Sequence, residues 1–411
     1  MTNRKMKDSG VEWIGDIPIH WKLVSVKHLF IIGRGRVIAK TELDDNGDYP
    51  VYSSQTKNNG VLGFIDTYDY DVSQLTWTTD GANAGTVFLR EGKYNCTNVC
   101  GTLLPKISNM SMKYMKYALE YIAIFHKRAD TNGFKIMNNE MAVIKILLPL
   151  EKEQKKIAAF LDEKVAHIDN IIEDTKKSIE NLKFYKQSLI TETVTKGLNP
   201  NVDMKDSGIE WAGEIPSHWR VNRLKRIFEI KKDIANQLGY DILSVTQKGL
   251  KIKDISSNEG QLSADYSKYQ IVEENDFVMN HMDLLTGWVD LSKFVGVTSP
   301  DYRVFKSSKP DSINNLFYKY IFQLGYSNKI FYGLGQGVSN KGRWRLPTDQ
   351  FLNFEIPIPP IEEQQAIAIF LNEKTSHVNL LIEQKEQLIN ELESYKKSFI
   401  YEYVTGKKEV K

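Results

Sequence analysis

The sequence predicts two mixed α/β (α+β) domains, separated and joined by two long α-helices that pair as an antiparallel coiled coil. The whole reads as a pseudo-two-fold internal repeat. Three observations predict this. Residues 6–21, MKDSGVEWIGDIPIHW, return at 204–219 as MKDSGIEWAGEIPSHW, with twelve of sixteen positions identical at an offset of 198. PLEKEQKKIAAFLDEK (149–164) returns as PPIEEQQAIAIFLNEK (359–374) at an offset of 210. After each of these second words the apolar residues follow a heptad. The implied division is 1–150, first mixed domain; 151–198, first long helix; 199–360, second mixed domain; 361–411, second long helix.

In the first long helix Leu161, Val165, Ile168, Ile172, Ile179, Leu182 and Leu189 alternate at four and three residues once Thr175 and Lys186 fill the gaps. That spacing is a coiled-coil seam with two polar interruptions. Pro149 precedes the helix, and Gly197 with Pro200 ends it. The second copy places Leu371, Val378, Ile382, Ile389, Leu392 and Phe399 on its seam, with Thr375, Lys385 and Lys396 as the polar positions. At ~1.5 Å per residue, a helix of about 45 residues spans roughly 65 Å. A stripe that long needs cover, and two matching stripes favour helix-on-helix pairing. A pseudo-two-fold axis makes the pair antiparallel.

The segments between signature and helix do not resemble each other. In the first, Leu75–Thr79, Thr86–Leu89 and Ile144–Leu148 read as strands and Tyr114–His126 as an amphipathic helix. SSQTKNNG (53–60) and TDGANAG (79–85) read as polar loops. In the second, Gln270–Val278 and Val295–Val297 read as strands and Asn314–Gln323 as a helix, with polar loops TQKG (246–249) and GQGVSNKGRWR (335–345). Arg and Lys beside Asn, Gln and Ser are the side chains that hold phosphates and read base edges, although a solvated surface turn has the same composition.

Composition excludes more than it selects. The chain has 411 residues, 41% hydrophobic, enough for two or three cored domains. Its formal net charge of +2 gives no strong field of its own toward nucleic acid, and leaves room for partners that carry the phosphate contacts. Cys96 and Cys100, the only cysteines, read as free thiols in a reducing cytoplasm rather than a zinc site. The N-terminus lacks the apolar core of a signal peptide, and no apolar run reaches membrane-spanning length. No phosphate-binding loop occurs, so ATP hydrolysis is not expected, and GLGQG (333–337) lacks the setting of a dinucleotide site. Asn199-Pro200 is a helix stop, lacking the aromatic residue that would stack on a flipped base. His20 and His218 fit a packed corner better than a pair of catalytic bases. No cluster of metal ligands marks a nuclease.

The signature KDSGVEWIGDIPIHW and the P-x-x-E-Q-x-x-I-A-x-F-L-[DN]-E-K helix starts resemble the specificity subunit of type I restriction–modification systems. The likeness runs over nearly the whole chain, 6–405. YPVYSSQ…GFID…TTDGANAG (49–85) and the exits ILLPL (146–150) and IPIPP (356–360) are similar to that family's target-recognition domains.

The resemblance implies a non-catalytic subunit on double-stranded DNA, each domain reading one half of a bipartite, asymmetric target. The helices would set the unread spacer, and a rod of roughly 65 Å spans about two turns of B-DNA. They would also dock two methyltransferase subunits that methylate adenine, and two restriction–translocase subunits would complete the complex. The chain would bind no cofactor and no metal; S-adenosylmethionine, ATP and magnesium would sit on the partners.

Polar loop chemistry and position near the family's variable loops select the candidate DNA contacts. In the first domain these are Ser53, Ser54, Gln55, Lys57 and Asn58, with Asp80, Asn83 and Arg128. In the second they are Gln247, Lys248, Asn280 and His281, with Lys341, Arg343 and Arg345. The competing reading is a coiled-coil assembly scaffold that joins two copies of an enzyme without reading sequence.

Overall fold

The structure, a computed structural model, describes residues 4–131, 133–254, 263, 265–337 and 344–410. The chain forms two compact units, Met1–Lys176 with Glu386–Lys411, and Lys177–Lys385. Each unit therefore holds one mixed domain and a stretch of both long helices.

The first unit is built on an antiparallel sheet in the order Val87–Arg90, Gln74–Thr78, Cys100–Pro105, Phe30–Arg34. Every residue of the Gln74–Thr78 strand is buried, as a central strand covered on both faces requires. The Met112–His126 helix starts where the Ser111 hydroxyl accepts the Tyr114 N–H at 3.3 Å, and it packs against the Val87–Arg90 strand. A second sheet, mixed in direction, runs in the order Val61–Ile65, Tyr49–Tyr52, Lys93–Cys96, Tyr70–Asp71. The domain closes by pairing Lys22–Ser25 with Lys145–Leu148.

The second unit repeats the frame. Its sheet runs Phe228–Lys231, Arg303–Ser307, Phe277–Met279, Val289–Leu291, again antiparallel. The Asn315–Ser327 helix is capped by Asn314, whose side chain accepts Phe317 N–H at 3.1 Å. Arg220–Arg223 closes on Glu355–Ile358. Registers confirm the equivalence: Lys22 pairs with Leu148, and Arg220 with Ile358, matching the two repeat offsets. The domains differ in the outer strands, where the second has two short antiparallel pairs, Leu243–Thr246 with Gly249–Ile252 and Gln270–Val272 with Gly296–Thr298.

One strand expectation fails. Gln270–Val278 is not continuous: it breaks into Gln270–Val272 and Phe277–Met279. The break lies in the polar run Glu273–Asp276, where Asn275 adopts φ 68° and Asp276 accepts the Glu273 N–H at 2.8 Å. Those carboxylates also clasp buried Lys231, at 2.7 Å from Glu273 and 3.0 Å from Asp276.

The long helices are Glu151–Lys196 and Ile361–Val404. The second stops short of the expected 411 because Gly406, at φ 72°, turns the chain against Pro18 and Trp21. All the seam residues named above are buried or half-buried. In the first unit the Phe160 ring packs at a tilt against Phe399 and Tyr403, and Asp169 accepts from Lys396 at 2.6 Å, so the two helices run antiparallel there. In the second, Lys186 donates to Asn379 at 2.8 Å, while Leu189 and Val194 share a core with Leu371 and Ile367. Besides Lys186 and Lys396, two more polar seam positions are partnered: Thr375 meets the Tyr320 hydroxyl at 3.2 Å, and Thr175 donates to the Ile171 carbonyl at 2.7 Å.

The repeated words meet in space. The Trp21 indole donates to Glu153 Oε2 at 3.0 Å, and His20 Nε2 lies 3.0 Å from the same oxygen. Trp219 and His218 repeat this on Glu363, at 2.9 and 2.7 Å. Both tryptophans are fully buried. Burial resists the charge of Glu153, but hydrogen bonds from Arg4, His20 and Trp21 outweigh it and hold the carboxyl below its usual range. The neighbouring Gln154 and Gln364 accept the Ser111 and Asn314 N–H groups at 2.9 and 2.8 Å. The signature histidines are therefore corner pieces that tie each domain to the first turn of its long helix.

Candidate nucleic-acid interface

The 53–60 loop links two strands of the outer sheet in the first domain. Lys57 and Asn58 are exposed, while Ser53, Ser54 and Gln55 are half-buried. Asn58 and Asn59 both take left-handed φ, 49° and 51°, a conformation asparagine tolerates and that throws their side chains outward. Ser53 N–H donates to Gly60 O at 3.0 Å, and Gln55 donates to the Val61 carbonyl, so the hairpin base is fixed.

Beneath it lies Arg90, only 2% exposed. Its guanidinium reaches the Asn59 carbonyl at 2.8 Å and stacks 3.6 Å from the Tyr52 ring. Burial pushes Arg90 below its ordinary value.

Asp80 and Arg128 come together in a three-stranded ribbon of Arg128–Asp130, Gly133–Lys135 and Asp80–Gly81. Both are already engaged: Lys135 Nζ lies 3.4 Å from Asp80 and 3.0 Å from Asp130, and Arg128 donates to Glu140 at 2.7 Å. Asn83 keeps an exposed side chain, and its carbonyl accepts the Thr86 N–H at 3.1 Å.

In the second domain Gln247 and Lys248 form the exposed tip of the Leu243–Ile252 hairpin. Asn280 and His281 follow the Phe277–Met279 strand, and Leu346 N–H donates to His281 O at 2.9 Å, which brings Arg345 beside them. Gln336–Gly337 pairs with Trp344–Arg345. Lys341 and Arg343 lie outside the described residues. His281 is 9% exposed, and burial, with Arg303 and Arg345 nearby, pushes it down to about 3. Among the described residues no group of His, Cys, Asp or Glu is arranged to hold a metal ion, and Cys96 and Cys100 are buried and free. No described helix is long and apolar enough to cross a membrane.

The family model described as the type I restriction modification DNA specificity domain matches twice, at residues 18–181 and 216–394, together most of the chain. The chain belongs to this family. Each match spans one mixed domain and most of the long helix after it. The type I restriction enzyme MjaVIII specificity subunit of Methanocaldococcus jannaschii is 28% identical over 96% of this chain and 94% of its own. The type I restriction enzyme MpnII specificity subunit of Mycoplasma pneumoniae is 33% identical over 45% of this chain and 58% of its own. A solved structure concerned with assembly and conformational transition of the type I R-M system shares the fold, with a TM-score of 0.66 at 12% identity over 94% of this chain and 98% of that one.

The polar candidates of the specificity domains range from exposed Lys57, Asn58, Gln247 and Lys248 to buried His281, and they leave out two buried cations, Arg90 and Arg303. Arg90 and Arg303 sit in strands, where an arginine looks like a solvent-facing position. The signal available was their neighbours: VFLR (87–90) and YRVF (302–305) put each arginine in a run of apolar residues.

Proposed function

We propose that this non-catalytic specificity subunit reads double-stranded DNA with two different domains, each taking one half of a bipartite target. What supports the reading is the contrast between constant and variable parts. Both domains share sheet order, closing strand and the Trp–Glu junction, and differ in their outer strands and loops. A scaffold that only joined enzymes would not need two unlike polar surfaces on one frame, and both domains match a DNA specificity family.

The paired helices would fix the unread spacer and dock two methyltransferase subunits acting on adenine from S-adenosylmethionine. Two restriction–translocase subunits, using ATP and magnesium, would complete a cytoplasmic complex. The test is the methylome of a strain expressing this chain with its partner methyltransferase. One bipartite, asymmetric methylated motif is expected. Methylation without sequence preference would sink the reading and leave the scaffold.

A further inference from the structure

The two domains solve one structural problem with different chemistry. In the first, the Ile136 carbonyl is satisfied by the Trp77 indole N–H at 3.0 Å. In the second, the equivalent Leu346 carbonyl is satisfied by Arg303 at 3.1 Å. The registers set the correspondence: Trp77 pairs with Gly101, and Met279 with Arg303. Ile136 N–H donates to Thr79 O as Leu346 N–H donates to His281 O, each at 2.9 Å. A neutral indole thus suffices for this corner, and the positive charge of Arg303 exceeds what the frame requires.

Charge balance differs at the same place. Lys135, at the address of Arg345, is neutralised by Asp80 and Asp130. Arg345 has no carboxylate or carbonyl partner to its side chain among the described residues. It borders a cavity of about 280 Å³ with Arg303, His281 and Lys232, and no acidic side chain is among the described residues of its wall. His281 Nδ1 is buried there without a hydrogen-bond partner. Arg303 is 3% exposed and also held by Thr348 Oγ1 at 3.2 Å, so it is fixed and cannot swing away to find a counter-charge. One buried cation, Arg303, behind two exposed ones, Arg345 and Lys232, with no acid among the described residues lining the hollow, describes a site whose counter-charge arrives with a ligand.

We propose that this hollow of the second domain receives an acceptor-rich group of the DNA, a guanine major-groove edge or a backbone phosphate, with Arg345 and Lys232 reaching it and Arg303 holding the field behind them. The proposal rests on the DNA-reading function above. Arg345 is exposed, its strand pairing to Gln336 is made by backbone alone, and its side chain has no hydrogen bond or ion pair among the described residues, so Arg345→Gln keeps the fold. Lys232→Gln is its companion.

The experiment uses the full chain in complex with its methyltransferase partner, selected on a duplex library randomised in both half-sites. A guanine contact makes Arg345→Gln lose about ten- to a hundredfold in discrimination at one base pair of one half-site. A phosphate contact lowers affinity for all sequences alike and makes the salt dependence shallower. Either result supports the pocket. Unchanged affinity and preference in both variants would overturn it, provided the unmodified complex is sequence-selective; a non-selective unmodified complex would instead refute the DNA-reading function. A double exchange, Met279→Trp with Arg303→Gly, transplants the first domain's solution. With thermal stability kept, it should lose binding as Arg345→Gln does, and full binding by this folded variant would count against the pocket.

Discussion

The Trp219 indole donates to Glu363 Oε2 across 2.9 Å, joining the last residue of the second signature to the first turn of the helix that ends the same half. Trp21 and Glu153 do the same in the first half. The two repeated words, more than a hundred residues apart in sequence, are the two sides of one joint. Glu363→Ala leaves a buried indole N–H without its acceptor, at a cost of about 1–3 kcal/mol. Urea unfolding of the full chain followed by tryptophan fluorescence should show it. An unchanged midpoint would mean that packing alone holds the joint.

Because Lys22–Ser25 pairs with Lys145–Leu148, residues 22–148 begin and end on neighbouring strands. The Trp21–Glu153 bond lies outside that segment. Exchanging 22–148 for the corresponding segment of a relative should therefore change one half of the methylated target and preserve the other. Altered bases in both halves would show that the domains do not read independently.

Antiparallel pairing dictates how a spacer should be lengthened. Seven residues added to one helix alone leave its seam without a partner. A heptad added to both, after Lys176 and after Lys385, keeps each seam in phase. At ~1.5 Å per residue this adds about 10 Å, or roughly three base pairs of spacer. Methylation mapping reads the result directly, and an unchanged spacer would separate the helices from the measurement of half-site distance.

The frame was legible because it is written twice. Heptad spacing placed Leu161, Val165 and Ile168 on a buried seam, and the recurrence of His-Trp marked a packed corner. The reading surface was less legible for a physical reason. Arg128 and Asp80 look like free polar side chains in sequence, but strand pairing brings Lys135 to Asp80, and the Asn138–Val143 helix brings Glu140 to Arg128. Arg303 looks like an ordinary strand residue, yet its backbone partner Met279 and the Leu346 carbonyl decide that it is buried. Such partners are distant in sequence, and no local pattern records them. The break of Gln270–Val278 was readable, since Glu273–Asp276 is a polar turn composition between two apolar runs.

His281 gives the second unit a specific acid sensitivity. Its pKa falls from 6.5 to about 3, through burial first and then Arg303 and Arg345. In the unfolded chain the imidazole protonates near its ordinary value, while in the folded chain it stays neutral. Stability contributed by neutral His281 is therefore complete above pH 6.5 and is lost as pH falls from there toward 3. The slope approaches about 1.4 kcal/mol per pH unit, so going from pH 7 to pH 5 costs about 2 kcal/mol. His281→Thr installs the residue found at the matching address, Thr79, and removes the titration. Burial also lowers His126, but that residue is common to both proteins and cancels in the comparison. Urea unfolding at pH 7 and pH 5 should show a smaller acid loss in the variant, and equal losses would mean that the His281 imidazole is protonated in the folded chain.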